Sequence, residues 1–201
     1  MQEIEAKFYV SDLDGIRMRL QSLDTLLIQP RVLETNIRFD LPDGGLRSEG
    51  RVLRLRQDTE ARLTYKSGSK NERGVLSRME LEFVVEDFEK ARQFLEVLGY
   101  QKLFYYEKYR TTYDLDRCHL MLDELPYGDF VEIEGETVEA IQAVAGKLNL
   151  IWEKAIPTSY HALFEQLCAN YPDLNPAELS FTALNGLNIK VGELPVHAGD
   201  G

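Results

Sequence analysis

Charged and apolar residues alternate with a period of two in several short segments of this chain. The first segment reads Glu-Ile-Glu-Ala-Lys-Phe over residues 3–8. In a β-strand, side chains two positions apart share a face, so two carboxylates and an ammonium group would line one face and apolar groups the other. A single strand of this kind is ordinary, but the spacing recurs. The further charged sets are Arg54 and Arg56; Arg78, Glu80 and Glu82; Lys108 and Arg110; and Glu132 and Glu134. The recurrence predicts strands that together line a polar interior, suited to phosphate oxygens and to a hard divalent cation.

The bulk composition narrows the class of protein. A length of 201 residues fits one domain, with room for a small appendage. The net charge of -11 argues against nucleic acid as a partner, because binding a phosphate backbone needs a broad basic surface. Cys118 and Cys168 give neither a disulfide framework nor a zinc-ligand spacing. No apolar run could span a bilayer and no leader pattern is seen, so we expect a cytoplasmic protein with no membrane partner.

The order of the predicted elements indicates the fold class. The chain shows about eight strand patterns, mostly joined as hairpins, and four or five helix patterns. Hairpin connections favour an antiparallel sheet, and eight antiparallel strands favour closure. We therefore predict an α+β fold, an eight-stranded antiparallel β-barrel with helices packed on the outside. The aliphatic strand faces would then point outward; they are Leu53 and Leu55; Met79, Leu81 and Phe83; and Val131 and Ile133.

Three segments are predicted to lie outside the strands. Residues 68–74 read Gly-Ser-Lys-Asn-Glu-Arg-Gly, which predicts a polar loop. Asn175–Leu184 is predicted to form a last short helix, and Gly186–Gly201, which has few aromatic residues, is predicted to be mobile. The chain is accordingly divided into a main domain over residues 1–170 and a C-terminal helix with a mobile tail over residues 171–201.

Eight charged or polar motifs occur in a fixed order along the main domain. They are Glu3-x-Glu5-x-Lys7; Arg38-Phe39-Asp40 with Pro42-Asp43; Leu53-Arg54-Leu55-Arg56; Leu63-Thr64-Tyr65-Lys66; Arg78-x-Glu80-x-Glu82; Lys108-Tyr109-Arg110 with Tyr113; Leu122-Asp123 with Gly128-Asp129-Phe130-Val131-Glu132-Ile133-Glu134; and Ser159-Tyr160. The first motif alone is weak evidence that a chain belongs to a particular protein family. The ordered set resembles the CYTH superfamily, also called the triphosphate tunnel metalloenzymes, over about residues 1–170.

The resemblance implies a barrel open at both ends whose tunnel binds a triphosphate together with Mg²⁺ or Mn²⁺. Arginine offers phosphate bidentate contacts and lysine a point charge, whereas carboxylates with bound water suit either metal. The implied substrate-binding residues are Lys7, Arg54, Arg56, Lys66, Arg78, Lys108 and Arg110. The implied metal ligands are Glu3, Glu5, Asp123, Glu132 and Glu134. Supporting roles are expected for Arg38, Glu80 and Glu82, whereas Arg62 is expected at the surface.

The members of this superfamily include class IV adenylyl cyclases, thiamine triphosphatases and inorganic triphosphatases, so the resemblance leaves the activity open. The favoured prediction is hydrolysis of a terminal phosphoanhydride on inorganic triphosphate or thiamine triphosphate, with Glu5, Glu134 or Lys7 orienting the attacking water. The alternatives are a cyclase that makes cyclic AMP and pyrophosphate from ATP, and a non-catalytic binder of polyphosphate or nucleotide. The small-molecule triphosphate is the expected partner, and a homodimer that covers the outward aliphatic faces is kept as an alternative.

Overall fold

The computed structural model describes residues 2–72, 75–187, 194 and 196–200, and for residues 2, 3, 69–72, 75 and 76 it describes the backbone alone. The strands are β1 Gln2–Val10, β2 Leu26–Asp40, β3 Val52–Gln57, β4 Ala61–Glu72, β5 Val75–Val85, β6 Gln101–Leu115, β7 Cys118–Leu125, β8 Gly128–Glu134 and β9 Glu178–Leu179. The helices are α1 Leu13–Ser22, α2 Gly45–Ser48, α3 Phe88–Val97, α4 Val138–Lys147 and α5 Tyr160–Asn170, with a short 3-10 turn at Trp152–Lys154.

The strands β1 to β8 form one closed ring. Their order is β2-β3-β4-β5-β1-β8-β7-β6, and a further pairing of β2 with β6 closes the ring. Every pairing within the ring is antiparallel. The short β9 adds to β6 in parallel, outside the ring. The predicted eight-stranded antiparallel fold with helices outside it is therefore confirmed.

Strand residues alternate between the inner and outer faces of the ring, so each strand presents its apolar side chains outward. Helices cover most of these outward apolar faces. Helices α1 and α4 pack on β1, β7 and β8 in one core cluster, where Val131 and Ile133 are fully buried. Helix α3 covers β3 in a second cluster that contains Leu53 and Leu55. Helix α5 packs on Phe104 and Phe130 in a third. The expected outward direction of these aliphatic faces is thus observed.

The helices begin where the sequence places their caps. The Asp12 side chain accepts a hydrogen bond from the Gly15 amide at 2.9 Å, and Asp87 and Thr137 cap α3 and α4 in the same way. Such caps satisfy backbone donors that have no partner within the helix. Ser159 caps α5 through the Ala162 amide at 3.2 Å, which fixes where this helix starts beside the ring.

The polar loop predicted over residues 68–74 is wrong as far as the structure describes it. Strand β4 runs through this stretch to Glu72, and Lys70 and Asn71 pair with Ser77 and Leu76 of β5. A register shift between Ser67 and Lys70 marks a bulge there. The backbone N–H and C=O groups of β4 and β5 pair with each other, so the segment continues as a hairpin although its side chains are polar. Residues 73 and 74 lie outside the described residues.

The last helix predicted over residues 175–184 is also wrong. This segment forms turns and the short strand β9, and the Tyr105 amide donates to the Ala177 carbonyl at 2.9 Å. Leu179 and Leu184 are buried in the third core cluster. Burial of these two leucines against α5 and β6 decides the local conformation, which tertiary packing often does for short segments. The domain boundary at residue 170 stays a prediction.

The last described residues are tied to the end of β1, although the sequence predicted a mobile tail. The Asp200 carboxylate accepts hydrogen bonds from the Ser11 and Asp12 amides at 2.8 and 2.6 Å. The Gly199 amide donates to the Tyr9 carbonyl at 2.7 Å. Residues 188–193, 195 and 201, which belong to the same prediction, lie outside the described residues.

Among the described residues, the outward face of β5 stays largely exposed. Met79, Leu81 and Phe83 of β5 are 41%, 57% and 58% exposed. Cover by a second copy of the chain stays a prediction. In the part of the chain that the structure describes, none of the helices has the length and apolar character needed to cross a membrane.

Candidate active site

The inward faces of the ring enclose one large polar cavity, here called the tunnel cavity, of about 770 Å³. A cavity of this size falls in the range of small-molecule sites. The predicted site residues that line it are Glu5, Lys7, Arg38, Arg54, Arg56, Lys66, Arg78, Glu80, Glu82, Lys108, Arg110, Glu132 and Glu134. Asp123 lies beneath the lining with 0% exposure. The side chain of Glu3 lies outside the description. The geometry brings the predicted residues together, and their individual roles stay predictions.

Strand register explains why these side chains converge. Across β1 and β8, Glu5 lies opposite Glu134 and Lys7 lies opposite Glu132. Across β4 and β5, Lys66 lies opposite Glu80 in the same way. Residues directly opposite in an antiparallel pair point to the same face, so each strand adds its charged set to the one interior.

The tunnel cavity carries a positive excess in an acidic protein. Among the described side chains, nine lysine or arginine residues line it against seven aspartate or glutamate residues, and Asp123 beneath the lining adds an eighth carboxylate. The whole chain has a net charge of -11. Local excess charge in a low-dielectric cavity focuses the potential, so the cavity is suited to an anion that the rest of the surface would repel.

Asp123 organises two of the predicted phosphate ligands. Its carboxylate accepts hydrogen bonds from Lys108 Nζ at 3.0 Å, from Arg110 Nε at 2.6 Å and from the Tyr160 hydroxyl at 2.8 Å. Both carboxylate oxygens of Asp123 therefore already accept hydrogen bonds from protein donors. The geometry observed for Asp123 is thus that of a buried counter-ion, and its predicted role as a metal ligand stays a prediction.

Glu132 is a second buried anion of the tunnel cavity. Lys7 Nζ lies 3.1 Å from its carboxylate, and Arg110 Nη2 donates a short hydrogen bond to it. Burial alone would raise the pKa of Glu132, but Lys7 and Arg110 hold it well below its ordinary value. Glu132 is therefore ionised at neutral pH.

Glu34 is a site residue that the sequence analysis missed. It is 1% exposed and faces Lys108 at 3.5 Å and Arg56 at 3.8 Å, and it accepts a hydrogen bond from Asn36 at 3.0 Å. Burial would raise its pKa, but Lys108, Arg110 and Arg56 lower it. The missed signal was the period-two set of residues 34, 36 and 38, which continues the pattern of the other strands.

Arg62 was expected at the surface and instead reaches the edge of the tunnel cavity. Its guanidinium lies 2.7 Å from the Glu60 carboxylate and 3.6 Å from that of Glu82. Glu82 also accepts from Arg56 at 3.2 Å and from the Thr64 hydroxyl at 2.7 Å. The position of Arg62 follows from its register, because it precedes Thr64 and Lys66 on the inward face of β4.

Helix α5 brings two further side chains to the tunnel cavity. The Tyr160 ring lies 4.1 Å from Lys7 Nζ and 5.3 Å from Lys108 Nζ, both cation-π contacts. The Tyr127 hydroxyl donates to the Tyr160 carbonyl at 3.1 Å, which fixes the first turn of the helix. His161 follows with 7% exposure. The sequence analysis had identified Tyr160 as part of a motif, but not His161.

Several buried guanidinium nitrogens lack a protein acceptor. Among the described residues they include the Nε atoms of Arg38, Arg54, Arg56 and Arg62, which line the tunnel cavity, and that of Arg51, which lies outside its lining. A buried donor without a partner is costly, and a bound anion would satisfy it. Arg38, Arg54 and Arg56 lie on the neighbouring strands β2 and β3, so three of these donors share one wall of the tunnel cavity.

The carboxylates of β1 and β8 fit a divalent cation. Glu5 and Glu134 oppose each other, and like charges directly across a strand pair are unfavourable unless a cation lies between or beside them. Arg78 supplies one such cation at 2.8 Å from Glu5. Among the described residues no three His, Cys, Asp or Glu side chains form a ready cluster.

Comparisons with known proteins agree with this geometry. The family model described as "CYTH domain" matches residues 1–158. The adenylate cyclase CyaB of Aeromonas hydrophila is 28% identical over 176 residues, covering 82% of this chain and 89% of its own. The PH1012 protein of Pyrococcus horikoshii has a similar structure, with a TM-score of 0.68 and 28% identity, covering 79% of this chain and 96% of its own.

A Hippeastrum protein, described as an adenylyl cyclase with a dominant triphosphatase activity, has a TM-score of 0.60 at 19% identity. The similarity covers 81% of this chain and 95% of the Hippeastrum chain. At that identity the similarity shows a shared fold.

Proposed function

This chain belongs to the CYTH domain family, and we propose that it is a triphosphatase that binds inorganic triphosphate or thiamine triphosphate in the tunnel cavity with Mg²⁺ or Mn²⁺. The observation that carries the proposal is the wall of buried guanidinium groups on β2 and β3, whose Nε atoms have no protein acceptor. Facing it across the ring is the carboxylate pair of β1 and β8. One side thus suits phosphate oxygens and the other suits a divalent cation.

Such a site acts mainly by neutralising phosphate charge, because enzymes accelerate phosphoryl transfer chiefly by positioning the reactants and stabilising the transition state electrostatically. Arg54 and Arg56 would contact phosphate oxygens as planar forks, and Lys66, Lys108 and Arg110 would add positive charge. Several of these cations are already held by carboxylates, as Lys108 is by Asp123. The site is therefore ordered before substrate arrives, which limits the reorganisation that binding requires.

The proposed reaction is attack of water on the terminal phosphorus. A new phosphorus–oxygen bond forms as the bond to the bridging oxygen breaks, and that oxygen leaves with the remaining diphosphate. The water proton passes to a tunnel carboxylate, for which Glu5 and Glu134 are proposed, and Lys7 lies beside them to stabilise charge. When bound, Mg²⁺ or Mn²⁺ would neutralise phosphate charge and polarise the phosphoryl oxygens, held by Glu5, Glu132 and Glu134 together with Glu3.

A class IV adenylyl cyclase is the second candidate, favoured by the name of the Aeromonas hydrophila relative. In that reaction the ribose 3′-hydroxyl attacks the α-phosphorus and pyrophosphate leaves. A cyclase must also hold adenine. Two aromatic rings of the tunnel cavity are engaged within the protein, since Tyr160 lies over Lys7 and His161 stacks on Phe104 with ring centroids 4.0 Å apart. A third lining ring, Tyr106, stacks on Phe104 with ring centroids 5.4 Å apart, and its hydroxyl lies 3.5 Å from Arg54 Nη1. Because these three rings are engaged within the protein, we place hydrolysis first.

Product identity separates the candidates. We expect phosphorus NMR to show orthophosphate and pyrophosphate released from tripolyphosphate with Mg²⁺ or Mn²⁺, and thiamine diphosphate with orthophosphate from thiamine triphosphate. An Arg56→Met variant purified in the same way should lose this turnover, which excludes a contaminating phosphatase. Cyclic AMP and pyrophosphate from ATP, without orthophosphate, would replace the proposal by the cyclase. Binding without any product would leave a non-catalytic binder.

A further inference from the structure

His161 is held between an aromatic ring and an arginine at the tunnel cavity. Its imidazole stacks on Phe104 of β6 with an interplanar angle of 24°. Its Nδ1 lies 3.2 Å from Arg38 Nη1. Both His161 and Arg38 line the tunnel cavity. The contact joins residues that are 123 positions apart, so only the packing of α5 against the ring creates it.

The chemistry of this contact fixes the state of the imidazole. Arginine is only a donor, so Nδ1 of His161 must accept and the proton must be on Nε2. The Nε2 atom lies 3.8 Å from Glu165 Oε1, which suits a nitrogen that carries hydrogen. Burial, together with the charge of Arg38, lowers the pKa of His161 to about 4. A neutral ring accepting from a guanidinium is therefore the state at physiological pH.

Charged side chains of β2, α2 and α5 surround the imidazole of His161. The charged and titratable groups around the imidazole are Arg38 of β2, Arg47 of α2 and, on its own helix, Glu165. Arg47 Nη2 lies 2.7 Å from Glu165 Oε1. The Asp40 carboxylate accepts from the Arg47 amide at 3.1 Å and so holds α2 in place. The position of the imidazole is thus set by the fold before any ligand binds.

Arg38 differs from the other arginines of the tunnel cavity in its partner. Arg56 and Arg110 face carboxylates, at 3.2 Å in Glu82 and 2.6 Å in Asp123. Among the described side chains, no carboxylate lies within 4.0 Å of the Arg38 guanidinium, and its Nε is buried without an acceptor. A neutral imidazole orients the guanidinium and leaves its positive charge in place. A carboxylate at the same position would orient the guanidinium and also neutralise its charge.

We propose that His161 is a positioning residue, whose neutral imidazole holds Arg38 as a charge-uncompensated anchor for the phosphate chain of the substrate. The proposal rests on the proposed function, because it assumes a triphosphate in the tunnel cavity. It assigns His161 no contact with the reacting atoms. Its effect on the substrate is exerted through Arg38.

The test is a double-mutant cycle on tripolyphosphate binding, measured by calorimetry at pH 7 with EDTA so that no turnover occurs. His161→Phe keeps the stacking and removes the acceptor, and it should weaken binding about tenfold, as expected for one hydrogen bond to a charged group. His161→Gln retains an acceptor and should restore most of the affinity. In an Arg38→Gln background, His161→Phe should have no further effect. His197→Gln, at an exposed histidine, is the matched control and should bind as the wild type does.

Each outcome has a defined meaning. Equal losses from His161→Phe with and without Arg38 would mean a merely structural role and would overturn the proposal. No binding of tripolyphosphate by the wild type would overturn the proposed function as well. If the His161 variants fail to fold, nitrogen NMR of the wild type still decides. We expect His161 to be neutral with its proton on Nε2 at pH 6, and a protonated ring or a proton on Nδ1 would contradict the pair.

Discussion

Glu5→Gln is expected to lower the metal-dependent hydrolysis of tripolyphosphate by about 100-fold. Glu5 lies opposite Glu134 in the strand register, so the change removes one of two facing carboxylates proposed to hold the metal. The glutamine oxygen can still accept from Arg78, whose Nη2 lies 2.8 Å from Glu5 Oε1. Thermal stability should therefore stay the same or rise, because repulsion between Glu5 and Glu134 is relieved. Steady-state kinetics over a Mg²⁺ titration and a thermal melt measure the two effects.

Glu124→Gln is the matched control for this change. Glu124 is an ion-paired strand carboxylate outside the tunnel cavity, and Arg31 Nη2 lies 2.9 Å from it. Its substitution should leave turnover unchanged. A Glu5→Gln enzyme with wild-type turnover and wild-type dependence on Mg²⁺ would remove Glu5 from the metal site.

Asp123→Ala is expected to lower the free energy of unfolding by about 3–5 kcal/mol, the usual effect of breaking a buried ion pair from one side. Asp123 is 0% exposed and accepts from Lys108, Arg110 and Tyr160. Its loss would leave Lys108, which is 2% exposed, with Glu34 at 3.5 Å as its one remaining counter-charge within 4.0 Å among the described residues. Urea denaturation at pH 7 measures the change in unfolding free energy.

Asp114→Ala provides the comparison. Asp114 lies near the end of β6 and is partly exposed, and its carboxylate lies 3.8 Å from His119 Nδ1. Its removal should change the free energy of unfolding by less than about 0.5 kcal/mol. If Asp123→Ala cost no more than Asp114→Ala, the buried charges of the tunnel cavity would not be acting as one coupled network.

The sequence could predict the ring and most of its lining because the deciding signal is local. A period of two determines which side chains share a face, and it needs no knowledge of distant contacts. Residues such as Arg54, Lys108 and Glu132 line the tunnel cavity, as this period indicates, and their roles there stay predictions. Their common direction also required the aliphatic faces to point outward, as Leu55 and Ile133 do.

The missed features depend on contacts that are distant in the chain. Glu34 is buried by Lys108 and Arg56, which β6 and β3 supply, so its own strand could not reveal its role. His161 had no partner spacing in the sequence, because Arg38 and Phe104 reach it only after α5 packs on the ring. The wrong assignment at residues 175–184 has the same cause, since burial of Leu179 against β6 and α5 replaces local helix preference.

The most direct test of the proposed site is a crystal structure of the wild type with tripolyphosphate and Mn²⁺, using the anomalous signal of manganese, or with a methylene-bridged analogue of tripolyphosphate if the wild type turns over. We predict one tripolyphosphate in the tunnel cavity, with its oxygens contacting Arg38, Arg54 and Arg56, and manganese beside the carboxylates of β1 and β8. Tripolyphosphate bound elsewhere, or an empty tunnel cavity at saturating ligand, would contradict the central claim that these charges form a triphosphate site.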